Sequence, residues 1–260
     1  MTKERRHEVR VDPARCVGCG LCAEDCVAHN LVLREGKAEV LRPQCIYCGH
    51  CEAICPQNAV TLTGFADRPE EFSEQTRLDP ETLLQAIRTR RTVRRFQDRP
   101  VPEAVREQII EAGRLAPTGS NRQNVSYLIL DRKKEELEAM AVAAFRAEAQ
   151  KDTPLSRYLR GMAIDDRFFF KGAPLVILAL SDDPVNASLA AENMAFMAEA
   201  HGLGVLFSGL FTYCANLDPA LGAALGLSPE RRAVMTLVMG YPAVRYHRTV
   251  RREPADVTIL

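Results

Sequence analysis

What most constrains this chain is a cysteine pattern, C-x2-C-x2-C-x3-C, written twice. Cys16, Cys19, Cys22 and Cys26 recur with the same spacing as Cys45, Cys48, Cys51 and Cys55, and only Cys214 of the nine cysteines lies elsewhere. A short secreted chain would spend such residues on disulfides. Here the N-terminus, MTKERRHEVR, carries no apolar leader, and in a reducing compartment this spacing points to metal. Thiolates at intervals of three residues return to one side of a short loop and wrap one face of a cubane cluster. Four-cysteine zinc sites also use C-x2-C pairs. The third cysteine at the same interval, the duplication and Pro56 after Cys55 favour iron–sulfur chemistry over zinc. Gly18, Gly20 and Gly49 let backbone N–H groups approach the sulfides.

Between the two halves, Leu31–Leu33 and Lys37–Leu41 flank Glu35-Gly36, the signature of a tight hairpin. Residues 11–62 resemble a bacterial ferredoxin with two [4Fe–4S] clusters. The resemblance implies crossed ligation, in which Cys16, Cys19, Cys22 and Cys55 hold one cluster and Cys45, Cys48, Cys51 and Cys26 the other. Val27 stands where that family has proline after its fourth cysteine, a change of turn and not of ligand.

At 260 residues the chain is long enough for two domains. Residues 1–63 read as the cluster domain, the polar and acidic stretch 64–79 as a linker, and 80–260 as a second domain. From Asp79 the periodicity turns helical. Asp79-Pro80-Glu81 starts a helix with Asp as N-cap, and Leu83, Leu84 and Ile87 form its apolar stripe. Further helices are expected at Pro102–Leu115, Glu135–Gln150, Val185–His201 and Pro219–Leu225, with strands at Tyr127–Leu130, Leu175–Leu180 and Thr236–Met239. No strict strand–helix alternation appears, so the fold class is α+β and not a doubly wound sheet. Lys+Arg and Asp+Glu both number 34, which removes any general attraction to nucleic acid or anionic membrane. The longest apolar run, around Pro174–Leu180, is too short for a bilayer. A cytoplasmic protein is expected.

Arg88–Phe96, RTRRTVRRF, puts five arginines and two threonines into nine residues. Such a run binds a phosphate through guanidinium forks and hydroxyls, or is a solvated helix end, and composition alone does not choose. The order of motifs does. RRTVRRF with Pro100-Val101-Pro102, then Ala116-Pro117-Thr118-Gly119-Ser120-Asn121-Arg122-Gln123, Gly202-Leu203-Gly204 and Gly240-Tyr241-Pro242 with a basic tail, resembles the nitroreductase family across residues 80–260. The fused architecture is similar to ferredoxin-linked nitroreductases of anaerobic bacteria and archaea.

That resemblance implies an FMN-dependent oxidoreductase. Arg90, Arg91, Thr92 and Arg94 match the segment that holds the FMN phosphate and ribityl chain, with Thr92 in place of the usual serine. Pro117, Thr118, Gly119 and Asn121 match the loop that lines the ribityl and ring from the partner subunit of a homodimer. Gln123 keeps its place, whereas Asn124-Val125 replaces Pro-Trp. Ser208 and Gly209 match the segment near flavin N5 and O4, and Arg252 or Arg248 of the tail RYHRTVRRE supplies a last phosphate ligand. No acid or base side chain is expected to be catalytic, because flavin N5 is the family's reacting atom.

Clusters move single electrons and FMN pairs them, and a covalent link raises the cluster module's effective concentration at the flavin. The expected reaction is reduction of a small-molecule acceptor (nitro, quinone or activated-alkene), with ferredoxin or NAD(P)H as electron donor. The alternatives are a specialised reduction such as dehalogenation, with Arg157, Arg160 and Lys171 as substrate clamp, and a module that only transfers electrons. Phe168–Phe170 reads equally as a lid over the flavin or as packing. Cys214 reads as a buried hydrophobe, and none of the five histidines stands at metal spacing with another. The Met194/Met197 stripe and the apolar Val257–Leu260, read as a strand, are expected in the dimer interface.

Overall fold

The computed structural model describes residues 7–42, 45–72, 77–159 and 161–260. In the cluster segment, β1 (Glu8–Val11) pairs antiparallel with β4 (Val60–Thr63), and β2 (Leu31–Arg34) with β3 (Lys37–Val40) forms the expected hairpin. Its turn residues Glu35 and Gly36 have φ of 49° and 75°, the doubly left-handed turn whose twist matches that of the strands. The single turns α1 (Leu21–Glu24) and α2 (His50–Ala53) carry Cys22 and Cys51. Gly18 is required by space, since a Cβ there would stand 2.1 Å from the Gly36 carbonyl oxygen. The core is small: Leu31, Ala38, Ala59 and Val60 with Cys16, Cys22 and Cys51. Domains with so little apolar area commonly lean on bound metal.

By internal contacts, Met1–Arg77 forms one unit together with Gly119–Arg122, and Leu78–Thr118 with Gln123–Leu260 forms the other. In the second, β5 (Ser126–Leu130), β6 (Leu175–Ser181), β7 (Gly204–Phe207) and β8 (Arg232–Gly240) make an antiparallel sheet in the order β5-β6-β8-β7. Period-two alternation divides β6 between two layers. Val176, Leu178 and Leu180 pack with α5 (Lys134–Ala149), α8 (Gly209–Leu217) and α9 (Pro219–Ala224). Leu175, Ile177 and Ala179 pack with α4 (Glu103–Arg114) and α7 (Pro184–Ala200). Every residue of β6 is therefore buried. α7 turns Ala187, Ala190, Ala191, Ala195 and Ala198 inward, small side chains that permit close approach to the sheet. Asp79, Asp183 and Asp218 cap α3 (Pro80–Thr89), α7 and α9 through their carboxylates, each with proline next in sequence. The fold is α+β, as expected.

Several details differ from the sequence reading. α3 buries no residue: Leu83, Leu84 and Ile87 are 40%, 41% and 49% exposed, so its stripe is left uncovered by the described residues. Val257–Leu260, expected as a strand, is exposed and has no regular secondary structure. β1, β4, β7 and α8 lie where no element is expected. Glycine is poor in strands, and Gly204 thereby hides β7; a Cβ at Gly204 would meet Val93 Cγ2 at 2.4 Å, so the close approach of the arginine segment demands it. The mixed stretch 151–173 contains α6 (Pro154–Leu159). Phe169 and Phe170 are 1% and 0% exposed and pack on Phe145 and Phe211, which makes this pair core and not lid. No described helix is long and apolar enough to cross a membrane.

Candidate functional site

Cys16, Cys19, Cys22 and Cys55 line one cavity, and Cys26, Cys45, Cys48 and Cys51 line a second. α1 packs on α2, so each fourth cysteine, one turn past its helix, falls into the opposite cavity. Backbone N–H groups point at four of the sulfurs: Asn30 at Cys26 (3.3 Å), Ala38 at Cys16 (3.4 Å), Tyr47 at Cys45 and Ala59 at Cys55 (both 3.2 Å). As free thiols, Cys22, Cys45 and Cys51 resist ionisation, each chiefly because it is buried. Cys51 is pushed up to about 11, first by burial and then by Cys48, Cys26 and Cys45. Cys22 is raised by burial, then by Cys55, Cys16 and Cys19; the repelling neighbours are the cavity mates. At Cys55 burial is outweighed by the N–H groups of Ala59, Gln57 and Val60 and by Arg15, and the thiol is held low. Bound iron relieves this repulsion, and sulfurs with backbone donors fit a [4Fe–4S] cluster. Among the described residues no three His, Cys, Asp or Glu converge as ligands of one metal ion. The sulfurs surround a space, which suits a cubane better than a single zinc with bonds of about 2.3 Å.

In the second unit, Arg90, Arg91, Thr92, Arg94, Tyr246, Val250 and Arg252 line an open cleft. Arg248 is not among them. The arginine segment is held by backbone bonds: Val93 N–H to Val205 O (3.0 Å), Gln97 N–H to Tyr241 O (2.8 Å), and Ala243 N–H to Arg95 O (2.8 Å). Tyr246 Oη donates to Thr92 O at 3.2 Å and fastens the tail to it. Arg91 turns back on the end of α3, donating to the carbonyls of Arg88 and Arg90, and its Nε is buried without a partner among the described residues. An orphaned guanidinium N–H beside three further arginines, with no carboxylate on the walls, is a donor set that fits a phosphate. Arg90 lies 5.7 Å from the centre of the Phe207 ring and 4.0 Å from Glu192. Glu199 on α7 is pushed up to about 7 by burial; Arg90 and Arg91 oppose the rise and Glu192 adds to it. Tyr246 and Val250 escape the sequence reading, which takes only the arginines from the tail.

Ser208 is buried at the start of α8, and a Cβ at Gly209 would meet nothing within 4 Å. Gly119–Asn121 is a single 3-10 turn. Ser120, Asn121 and Gln123 have φ of 51°, 52° and 47°, a left-handed conformation that costs side-chain-bearing residues about 1–2 kcal/mol each. Gln123 N–H donates to Thr118 Oγ1 at 3.0 Å. Within the N-terminal contact unit, Asn121 Nδ2 donates to the carbonyls of Ile46 (3.2 Å) and Tyr47 (2.7 Å). Pro117, Thr118, Gly119, Asn121 and Gln123 are not among the described residues that line the arginine cleft. Asn124, at the departure from Pro-Trp, donates to Asp182 and accepts from Asn186 Nδ2 at 2.8 Å, which ties the loop's exit to the start of α7. Of the clamp candidates, Arg157 stands 3.9 Å from Asp152 and Lys171 lies 4.8 Å from the Phe168 ring centre; Arg160 lies outside the described residues. Cys214 is buried and its thiol is pushed up to about 11 by burial, an unreactive state.

A sheet-centred α+β domain with an arginine cleft, on one chain with two four-cysteine cavities, defines an iron–sulfur oxidoreductase. The chain belongs to the nitroreductase family: residues 87–241 match that family's model, and residues 8–56 match the 4Fe-4S dicluster domain. Its ferredoxin part is 43% identical over 47 residues to a component of the ion-translocating oxidoreductase complex of Methanosarcina acetivorans, a match that spans only 18% of either chain. It is 38% identical over 57 residues to an uncharacterized ferredoxin of Methanocaldococcus jannaschii, covering 21% of this chain and 92% of that one. A Bacteroides fragilis nitroreductase solved with bound FMN shares the fold of the second unit, with a TM-score of 0.57 at 22% identity, covering 68% of this chain and 98% of that one.

Proposed function

We propose that this protein is a cytoplasmic, homodimeric, FMN-dependent reductase of nitro, quinone or activated-alkene compounds, fed by two [4Fe–4S] clusters and ultimately by ferredoxin or NAD(P)H. Residues 1–63 form the cluster domain, 64–79 the linker and 80–260 the flavin domain. Cys16, Cys19, Cys22 and Cys55 hold one cluster, and Cys26, Cys45, Cys48 and Cys51 the other. Arg90, Arg91, Thr92, Arg94 and Arg252 grip the FMN phosphate, and Ser208-Gly209 adjoins the ring edge. The loop from Pro117 to Asn121 serves the partner's flavin, and Gln123 follows it. When bound, the clusters carry single electrons and FMN pairs them for delivery to an acceptor. The chain's own residues set the conditions: N–H groups on the cysteine sulfurs tune potential, and the arginines neutralise the phosphate dianion.

The observation that carries this reading is the presence, on one chain, of two four-cysteine cavities and a carboxylate-free arginine cleft in a nitroreductase-family domain. Anaerobic purification is expected to yield about eight iron and eight acid-labile sulfide for the eight paired-motif cysteines, with one releasable FMN. Reoxidation of the reduced flavin by a panel of acceptors then identifies the substrate class. Zinc in place of iron, or protein without flavin that takes up none, would overturn the reading.

A further inference from the structure

A buried carboxylate is costly unless something answers it. Glu138 on α5 is 6% exposed, and one of its oxygens accepts both Phe169 N–H (3.0 Å) and Phe170 N–H (2.6 Å). Burial raises its pKa against the pull of those two donors and of Lys134 and Lys171. One turn earlier on the same helix, Lys134 Nζ donates to Ala173 O at 2.8 Å. Two side chains of α5 thus hold the turn Phe168–Ala173 by its N–H groups and by its last carbonyl.

The fixed turn presents the Phe169 carbonyl to α8, where Ser208 Oγ donates to it at 3.1 Å. Serine at this position ordinarily does something else. Ser208 is the N-cap residue of α8, and serine is among the preferred N-caps, yet its side chain caps nothing. The aspartates at the corresponding positions of α3, α7 and α9 all accept from their helix's first N–H groups. The hydroxyl of Ser208 is turned to the Phe169 carbonyl, and among the described residues no side chain caps the first turn of α8, which begins beside the open space at Gly209.

We propose that Glu138 is a positioning residue for the flavin edge: by holding the Phe169 turn it keeps the Ser208 hydroxyl off α8 and leaves that helix's first N–H groups for the cofactor. This rests on the assignment of Ser208-Gly209 to the flavin edge made above. Loss of the Glu138 carboxylate frees the turn, lets Ser208 cap α8, and withdraws donors that favour the electron-rich reduced flavin.

The midpoint potential of the flavin in the loaded full-length protein tests this. Glu138→Ala is expected to weaken binding of reduced relative to oxidised flavin about tenfold, a fall of about 30 mV for a two-electron couple. Adding Ser208→Ala is expected to return most of that fall, because alanine cannot cap, with Ser208→Ala alone as the fourth corner of the cycle. Glu138→Gln keeps the volume and a weaker, neutral acceptor; its fall is smaller, cancels in the same way, and carries the test should Glu138→Ala not fold. A lowered melting temperature with unmoved potential would make Glu138 merely structural, and a shift indifferent to Ser208→Ala would refute the capping route. Wild-type protein that binds no FMN sinks the functional reading instead, so the two failures are told apart by flavin content.

Discussion

Cys26 lies four residues beyond Cys22, yet it lines the cavity of Cys45, Cys48 and Cys51. Cys26→Ser is therefore expected to alter the EPR signal of that cluster and spare the other; loss of the Cys16-side signal alone would reverse the crossed assignment. Arg94 offers a second handle. A charge-assisted bond contributes roughly 1.5–3 kcal/mol, so Arg94→Ala should weaken FMN binding about tenfold or more at unchanged iron content, as fluorescence titration would show. Glu199 bears on pH. Its folded-state pKa of about 7, raised chiefly by burial, lies above the ordinary carboxylate value of about 4.3, so the native state holds the proton longer than the unfolded chain. Stability linked to this group is complete below the ordinary range and is lost as pH rises through about 7. Flavin-free Glu199→Gln is thus expected to melt above wild type beyond neutral pH, with the gap closing in acid, and equal melting curves throughout would show a well-hydrated carboxylate.

Elements built on local chemistry are legible in the sequence alone. The hairpin at Glu35-Gly36 and the Asp-Pro starts of α3, α7 and α9 depend on residues within one turn of each other. The cysteine spacing is local in the same sense. β7 is not legible, because Gly204 answers to Val93, more than a hundred residues away in sequence, and not to strand propensity. Glu138 is hidden for a related reason: with Lys134 it reads as a solvated pair four residues apart, and only the fold supplies the two phenylalanine N–H groups that bury it. The stripe of α3 is legible as apolar, but its exposure depends on contacts that no local pattern specifies. Gly204→Ala tests the long-range packing of β7. The added methyl meets Val93 Cγ2 at 2.4 Å, an overpacking expected to cost about 1–3 kcal/mol, lower the melting temperature and loosen the Arg90–Arg94 segment enough to reduce flavin retention. A variant as stable as wild type would mean that Val93 can move aside freely.

Assembly is the question that the whole molecule raises. α3 has no buried residue, and Leu83, Leu84 and Ile87 remain 40–49% exposed on one short helix. On α7, Val185 and Leu189 are 65% and 45% exposed, and beyond the arginine tail Val257 and Ile259 are 73% and 92% exposed. Full burial of such a side chain is worth roughly 1.5–3 kcal/mol, so covering the half-exposed α3 stripe alone contributes about 3 kcal/mol, and the other faces add to it. A monomer would leave this surface to water. The nitroreductase resemblance implies an intertwined homodimer with two flavins across the interface, and such a dimer is expected to cover it. We therefore expect a dimer with two FMN and four clusters, in which flavin retention depends on assembly. Ile87→Glu with Leu84→Glu places two charges in the proposed interface and touches no cofactor residue; it should give a monomer that keeps its iron and loses most of its FMN. Light scattering together with flavin absorbance decides the matter. A stable monomer that retains flavin, in the variant or the wild type, would defeat both the dimer and the assignment of the Pro117–Asn121 loop to the partner's site.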